Sequence, residues 1–452
     1  MLAALARKLK LTLHPPIVPS LVLRDSRRLR YFAFFYLYVM QGIPGGFAAT
    51  AIYNYLIAQG LSARAVGSFA ATVGFPWVVQ FVWGPLIDKY QYSVIGHRKQ
   101  WVVLTQLVAC LASLSLLLVH DPVRQLSLLG AVFFVHSVFA SIQDASVDAI
   151  AIDYVPEAER GRVNALMRAG ALLGGAVGGA GLSNILHHGG FRAAVLTQSL
   201  LLLAFTVLTF FIKLERTDRL LPRLRWGSQR PAPAPTATAA PAEEDPSLGW
   251  LFRELWRGIT ERHSLRAFLI ILLGYMVASL FGNAFNFHLI HSLGWSDTFM
   301  STLQGTWVTG LMLVVLLVGG PLVDRLGAAR LQRAVLLGLA VFLLGFNFLT
   351  PFWKTPAVGL SGYVFICLAD PLISLAAMPL LMSYCRPRIE GSQFTTYMAL
   401  VNLCTVAASY LNGWLLLVTS ASVIGLVCGG LMLLLAVAAY RQRLAARQAL
   451  AA

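Results

Sequence analysis

The chain has 452 residues, of which 58% are hydrophobic and only 12% are charged, and its mean hydropathy is +0.71. Soluble domains contain about 25% charged residues, so this composition excludes a soluble globular protein and indicates a membrane protein with many spans. The formal net charge of +16 does not point to nucleic acid, because basic residues collect in the cytoplasmic loops of membrane proteins and no nucleic-acid motif occurs.

Twelve apolar segments are long enough to cross a bilayer, for which about 20 residues are needed. They are numbered as predicted helices 1 to 12 and cover residues 31–57, 65–87, 101–119, 126–152, 163–186, 193–213, 267–290, 298–323, 333–350, 357–384, 392–417 and 420–440. With the N-terminus inside, 30 of the 35 Lys and Arg residues lie on the cytoplasmic side. The positive-inside rule therefore predicts twelve spans with both termini in the cytoplasm.

The spans divide the chain into five parts. We expect a cytoplasmic N-terminal segment (1–30), a six-helix bundle (31–213), a cytoplasmic linker (214–266), a second six-helix bundle (267–440) and a cytoplasmic tail (441–452). The predicted fold class is thus an all-α membrane protein. The linker contains a Pro/Ala-rich stretch at 230–246, which predicts an extended chain. Residues 249–266 then predict an amphipathic helix, either on the inner membrane surface or solvated.

The two predicted bundles share sequence motifs. WGPLIDKY (83–90) ends predicted helix 2, and GGPLVDRL (319–326) ends predicted helix 8. A weaker pair, PEAERGRVNALM (156–167) and RPRIEGSQFTTYM (386–398), follows predicted helices 4 and 10. Matching motifs at matching places indicate a duplicated six-helix unit. Transporters are commonly built this way, with the substrate between the repeats.

The segment GPLIDKY…GHRK (84–99) resembles the loop between helices 2 and 3 of the major facilitator superfamily, with extra residues at 90–95. Together with HRKQWVVLTQ (97–106) and QDASVDA (143–149), it resembles AmpG-type muropeptide permeases, whose relatives include siderophore permeases and acetyl-coenzyme A transporters. This resemblance implies two bundles that rock around a cavity lined by helices 1, 4, 7 and 10. It also implies import of an amphiphilic solute such as a muropeptide. A siderophore or a coenzyme A ester remains an alternative.

The repeated loop motifs carry charges that can pair at one end of the molecule. We expect Asp88 to pair with Arg98 or Lys99 across the inner mouth and to hold one conformation closed. The alternative is that these are ordinary charges at the membrane boundary. The residues assigned to this gate are Asp88, Lys89, Arg98, Lys99, Glu159, Arg160, Asp324 and Arg325.

Predicted helix 4 contains two acids within the membrane. If the helix ends at Asp153, its rise places Asp148 roughly 8 Å and Asp144 roughly 13 Å inside. Arg168 is expected at the depth of Asp148 on the next helix, so we predict an ion pair between them. Asp144 then has no evident partner, and intramembrane acids commonly mark ion pathways, so it is the first candidate for proton coupling. The alternative is a permanently protonated side chain, or one bonded to Gln143 or a serine, that serves only packing.

Asp370 is the second candidate for proton coupling, in an Asp-Pro sequence expected to break helix 10 near its outer face. Polar side chains in the apolar segments are candidates for substrate binding, and each could instead form an interhelical hydrogen bond. These candidates are Gln41, Gln143, Asn283, Asn286, His288 and Gln304. As a set they favour a neutral or mixed polar cargo.

The function predicted from these features is proton-coupled symport of a small molecule across a bacterial inner membrane. No Walker loop occurs, so the chain is not expected to hydrolyse ATP. The absence of HExxH and GxSxG argues against a membrane enzyme, whereas a non-transporting sensor of the same fold remains an alternative. We expect no cofactor and no metal ion. The expected partners are the solute, protons and the lipid bilayer, and the expected state is a monomer.

Overall fold

The architecture was taken from a computed structural model, which describes residues 21–90, 93, 95, 96, 98–218, 248–386 and 390–451. Across those residues the chain is helical, and the β-type pairing found there is one isolated bridge between Val22 and Lys213. The prediction of an all-α membrane fold is confirmed. The Pro/Ala-rich stretch 230–246 lies outside the described residues.

The helices of the first half of the chain follow the predicted spans closely. They are Arg27–Ala58 (helix 1), Ala63–Val82 continued by Trp83–Lys89 (helix 2), Lys99–Leu118 (helix 3), Leu126–Tyr154 (helix 4), and Glu157–Ala176, Val177–Gly181 and Leu182–Phe211 (helices 5 and 6). Helices 5 and 6 meet at Gly190, whose φ of 80° and ψ of 173° interrupt the helix. The apolar stretch Arg162–Phe211 has 50 residues, or roughly 75 Å of helix, enough to cross a bilayer twice.

The helices of the second half follow the same order. They are Arg262–Phe287 continued by His288–Ser292 (helix 7), Asp297–Leu303, Gln304–Val308 and Thr309–Leu326 (helix 8), Ala328–Phe348 (helix 9), Pro356–Cys367 and Ala369–Ser383 (helix 10), Glu390–Val418 (helix 11) and Ala421–Ala451 (helix 12). A separate linker helix covers Leu248–Thr260, where the sequence predicts an amphipathic helix. Eleven stretches of the described chain are long and apolar enough to cross a membrane. The sequence predicts twelve spans because it counts Arg162–Phe211, which is interrupted at Gly190, as two.

Helix 5 packs along helix 1 through glycines. A Cβ atom on Gly174 would lie 2.2 Å from the carbonyl oxygen of Val39, and one on Gly178 would lie 1.9 Å from that of Ile43. Only a residue without a side chain permits such an approach of two helix backbones. Helix 4 packs instead against helices 2 and 3. The helices on either side of the loop at Pro156 are therefore neighbours in sequence without being close neighbours in space.

Helices 2 and 11 join the two halves. A Cβ atom on Gly67 would lie 2.4 Å from the carbonyl oxygen of Ser409, so these helices also approach closely. At the end of this contact, the guanidinium carbon of Arg64 lies 3.9 Å from the centre of the Trp414 ring. Such a cation–π contact stabilises the pairing of the two helices on the side that carries the loops following helices 1 and 11.

Candidate functional site

A cavity of about 550 Å³ lies between the two halves of the molecule. Helices 1, 2 and 4 form its wall in the first half, and helices 7, 8, 10 and 11 form its wall in the second. Its polar lining comprises Gln41, Tyr53, His136, Ser137, Tyr275, Ser279, Asn283, Asn286, Gln304, Tyr363, Asp370, Thr405 and Ser409. Aromatic rings of Phe69, Trp77 and Phe133 lie among them, so the wall is amphiphilic.

The structure brings four of the six predicted substrate-binding residues to this cavity: Gln41, Asn283, Asn286 and Gln304. All four also form hydrogen bonds between helices, as Asn283 and Gln304 illustrate. Asn283 Nδ2 donates to Ser409 Oγ on helix 11 at 3.1 Å, and Gln304 Oε1 accepts from the Tyr363 hydroxyl on helix 10 at 3.1 Å. These residues therefore line the cavity and bond to neighbouring helices at the same time.

The other two predicted substrate-binding residues lie elsewhere. Gln143 is buried, with 3% of its surface exposed, and does not line the cavity. His288 packs its ring against Trp353, with the ring centres 5.5 Å apart, within the second half. Neither side chain lines the cavity, in contrast to the expectation that both contact cargo.

Sequence reasoning missed His136, which lines the cavity on helix 4. The signal was present in its spacing, because residues 136, 140, 144 and 148 recur every four positions and share one helix face. The acids Asp144 and Asp148 mark that face as polar. A histidine two turns away on the same face therefore belongs to the same side of the helix.

Asp144 has two partners, in contrast to the expectation that it has none. Gln41 Nε2 on helix 1 donates to Asp144 Oδ1 at 2.9 Å, and Gln80 Nε2 on helix 2 donates to Oδ2 at 2.5 Å. Both amide groups extend from neighbouring helices to the carboxylate. Because Gln41 also lines the cavity, it connects Asp144 to the space where a solute would lie.

Asp148 does not form the predicted ion pair with Arg168. Its Oδ1 accepts a hydrogen bond of 2.5 Å from the Tyr38 hydroxyl on helix 1. Arg168 makes no hydrogen bond or ion pair within the part of the chain that the structure describes. The physical reason is the packing of helix 5 on helix 1: the residue that reaches Asp148 comes from helix 1.

Arg168 lies within electrostatic range of residues in both halves. Its positive charge acts on Asp148 and, across the interface, on Asp370 and Tyr275, which both line the cavity. The Asp370 carboxylate has no hydrogen-bond or ion-pair partner among the described residues. Helix 10 is interrupted at Leu368, as the Asp-Pro sequence predicts. The break lies near the middle of the Pro356–Ser383 stretch, however, so Asp370 is in the middle of the span and not near its outer face.

Two sets of hydrogen bonds between polar side chains join the halves beside the cavity, whose wall includes Asn286. Asn286 Nδ2 on helix 7 donates to Asn54 Oδ1 on helix 1 at 2.8 Å, and Asn54 Nδ2 donates to Ser301 Oγ on helix 8 at 2.9 Å. Asn184 Nδ2 on helix 5 donates to Thr302 Oγ1 on helix 8 at 3.0 Å. We call these five residues the amide seal. They join the two halves on the side predicted to be extracellular.

Charged residues at the opposite end pair within the first half. Arg98 forms an ion pair with Asp153 at the end of helix 4. Lys99 Nζ donates to the carbonyl oxygen of Phe210 at 2.9 Å, at the end of helix 6. These contacts fasten the loop between helices 2 and 3 to its own half. Because the side chain of Asp88 lies outside the described residues, its predicted contact with Arg98 or Lys99 stays a prediction.

The remaining predicted gate residues have varied positions. Glu159 accepts hydrogen bonds of 2.9 and 3.0 Å from the guanidinium of Arg30, which again belongs to the first half. Arg325 is exposed near the end of helix 8. The side chains of Asp88, Lys89, Arg160 and Asp324 lie outside the described residues. The gate assignment therefore stays a prediction.

The family model of the Major Facilitator Superfamily matches residues 30–408. The chain belongs to the major facilitator superfamily. The sequence-based resemblance to this superfamily is thereby confirmed.

Among curated relatives, the anhydromuropeptide permease of Escherichia coli K12 is 29% identical over 140 residues, which are 30% of this chain and 28% of the relative. A putative transporter AmpG 3 of Rickettsia prowazekii is 31% identical over 83 residues, 18% of this chain and 20% of the relative. This superfamily member therefore matches less than a third of the length of these relatives.

Solved structures of similar fold cover nearly the whole chain. The nucleoside transporter NupG aligns with a TM-score of 0.63 at 13% identity, over 91% of this chain and 98% of its own. A D-xylose–proton symporter aligns with a TM-score of 0.60 at 14% identity, over 89% of this chain and 97% of its own. Identities this low show the fold alone.

Proposed function

We propose that this transporter imports an anhydromuropeptide-like solute, a sugar–peptide conjugate, together with protons across the inner membrane of a bacterium, with both termini in the cytoplasm. The observation that carries the proposal is the amphiphilic cavity between the halves, beside which buried amides join the two halves. Alternating access requires such a site between two units that rock against each other. Opening the amide seal would expose the cavity to the side predicted to be extracellular.

The chemistry of the cavity suits a solute with both polar and apolar parts. Trp77 and Phe133 offer ring faces, whereas Gln41 and Asn283 offer amide groups. The volume of about 550 Å³ lies within the roughly 300–1,000 Å³ typical of sites for organic ligands. Relatives named as anhydromuropeptide permease and AmpG transporters support a sugar–peptide cargo over a purely apolar one.

For proton coupling we favour Asp370 over Asp144, which reverses the order suggested by the sequence alone. Asp370 borders the cavity in the middle of helix 10 without a hydrogen-bond partner among the described residues, whereas Asp144 accepts from two amides. A carboxylate at mid-membrane costs at least about 2.5 kcal/mol on insertion scales, and protonation removes that cost. Asp370 can thus exchange a proton with whichever side the cavity faces, while Arg168 in the other half balances its charge.

Counterflow in proteoliposomes tests the assignment of the cargo. Vesicles loaded with unlabelled anhydromuropeptide should accumulate the labelled compound transiently, and excess unlabelled compound outside should abolish the signal. A siderophore and a coenzyme A ester serve as competitors of other classes. Counterflow of a labelled siderophore or coenzyme A ester, without counterflow of the anhydromuropeptide, would contradict the proposed cargo. The absence of counterflow for all three solutes would contradict it too and would favour a non-transporting sensor.

A further inference from the structure

His136 is a buried side chain on the wall that the first half contributes to the cavity. It lies on helix 4, keeps 6% of its surface exposed, and lines the cavity together with Ser137. Building on the transport function proposed above, we propose that His136 recognises cargo by accepting a hydrogen bond from a solute hydroxyl or amide N–H at its Nε2 atom.

The hydrogen bond of the other ring nitrogen fixes the chemistry of Nε2. His136 Nδ1 lies 3.0 Å from the carbonyl oxygen of Ala109 on helix 3. A carbonyl oxygen only accepts, so Nδ1 carries the hydrogen atom. In the neutral ring Nε2 then has a lone pair and acts as an acceptor. Helix 3 does not line the cavity, and its carbonyl group therefore orients the ring from behind the wall.

Nε2 has no partner among the residues that the structure describes, since the bond to Ala109 is the hydrogen bond found for this side chain there. The open surface next to the ring is that of the cavity. Nε2 is accessible from the cavity, where a donor on a bound solute can take the place of water. His136 thus combines a fixed orientation with an unused acceptor.

The opposite wall adds a second acceptor. Among the described residues that line the cavity, Asp370 is acidic and none is Lys or Arg. Acceptors on both walls select a solute that donates hydrogen bonds through hydroxyl, amide or ammonium groups. Sugar–peptide conjugates carry all of these. A coenzyme A ester presents phosphates, which accept hydrogen bonds and prefer Arg or Lys as partners.

Two substitutions separate the contact with cargo from the bond that orients the ring. In His136→Asn, the short amide can still donate to the Ala109 carbonyl but does not reach the position of Nε2. In His136→Gln, the longer amide places its oxygen near that position and gives up the inner bond. Both variants and the wild type would be reconstituted, and the concentration dependence of anhydromuropeptide counterflow would be measured. Thermal unfolding of the purified proteins reports folding.

We expect His136→Asn to raise the half-saturating concentration about fivefold, the loss of one neutral hydrogen bond, with a maximal rate within about twofold of the wild type. His136→Gln should restore most of the affinity. A folded His136→Asn protein with wild-type saturation, or equal loss of affinity in both variants, would overturn the proposal.

A second measurement distinguishes failure of the proposed cargo from failure of the role proposed for His136. It records the thermal shift of the wild type with an anhydromuropeptide, an aminosugar, a dipeptide and a coenzyme A ester. If another donor-rich solute stabilises the protein, the cargo assignment fails, and His136 is judged by whether His136→Asn loses that shift and His136→Gln keeps it. If only the coenzyme A ester stabilises it, or if no solute does, the recognition of donors by His136 fails as well.

Discussion

Asn286 of helix 7 donates a hydrogen bond of 2.8 Å to Asn54 of helix 1, and this bond joins the two halves of the molecule. Both side chains are buried, with 7% and 1% of their surfaces exposed. Ser301 extends the contact to helix 8. A cavity that opens toward this side must break these bonds and hydrate the amides. The amide seal therefore contributes to the free-energy difference between the two conformations.

Weakening the amide seal should open the cavity toward the predicted extracellular side. Asn54→Ala removes its own bonds to Asn286 and Ser301, and loss of about 1 kcal/mol would shift the ratio of conformations about fivefold. Cys367 lines the cavity and can report this shift, once Cys110, Cys385, Cys404 and Cys428 are replaced by Ala. An impermeant maleimide added outside should label Cys367 faster in Asn54→Ala. Equal labelling rates would show that the seal does not control opening, and a Cys367→Ala protein supplies the background.

The contact between helices 1 and 5 predicts a large difference between two adjacent glycines. Gly174→Ala places a methyl group against the backbone at Val39, whereas a Cβ atom on Gly175 meets nothing within 4 Å. Overpacking of this kind costs about 1–3 kcal/mol. Gly174→Ala should therefore lower the thermal unfolding temperature in detergent, and Gly175→Ala should leave it close to that of the wild type. A similar loss in both variants would mean that helix flexibility, and not the close contact, sets the effect.

Helix packing could not be inferred from neighbouring positions in the sequence. Hydropathy was sufficient for the helices, and the loop motif at 84–99 was sufficient for the superfamily. The predicted pair of Asp148 and Arg168, by contrast, assumed that consecutive helices touch. The glycines of helix 5 fit helix 1, so Tyr38 reaches Asp148 instead.

The hydrogen-bond partners within the candidate site also could not be predicted without knowing which helices pack side by side. Gln80 lies in an apolar stretch that gives no sign of its contact with Asp144, because that contact requires helix 2 to lie beside helix 4. Cavity-lining positions were easier to anticipate, since uncharged polar residues in apolar spans commonly face the interior. Gln41 and Asn283 follow that expectation, whereas His288 lies next to Trp353.

The partner of Asp148 can be tested by a double-mutant cycle. Tyr38→Phe removes one hydroxyl group, and Asp148→Asn changes the acceptor to which it donates. The two substitutions should have non-additive effects on unfolding free energy or transport rate, with a coupling of about 1 kcal/mol. Arg168 has no direct contact with Asp148, so a cycle of Arg168→Gln with Asp148→Asn is the matched control. The effects of these two substitutions should be closer to additive. Stronger coupling of Asp148 to Arg168 than to Tyr38 would favour the original ion pair.

The role of Asp144 should differ from that of Asp370. Asp144→Asn keeps a side chain that can accept from Gln41 or Gln80 at one oxygen, so we expect a lower rate of transport, with gradient-driven accumulation retained. Uptake of labelled anhydromuropeptide into proteoliposomes with and without a pH gradient measures this. Complete loss of accumulation with intact counterflow in Asp144→Asn would move the proton site from helix 10 to helix 4.

Uptake by Asp370→Asn proteoliposomes under an imposed proton gradient, acidic outside, tests the central claim most directly. Replacing the carboxyl group by an amide removes the proton-binding group and keeps its size. We predict that the wild type accumulates labelled anhydromuropeptide above equilibrium, and that Asp370→Asn exchanges it in counterflow but no longer accumulates it. Gradient-driven accumulation by Asp370→Asn equal to that of the wild type would contradict proton coupling through the cavity between the two halves.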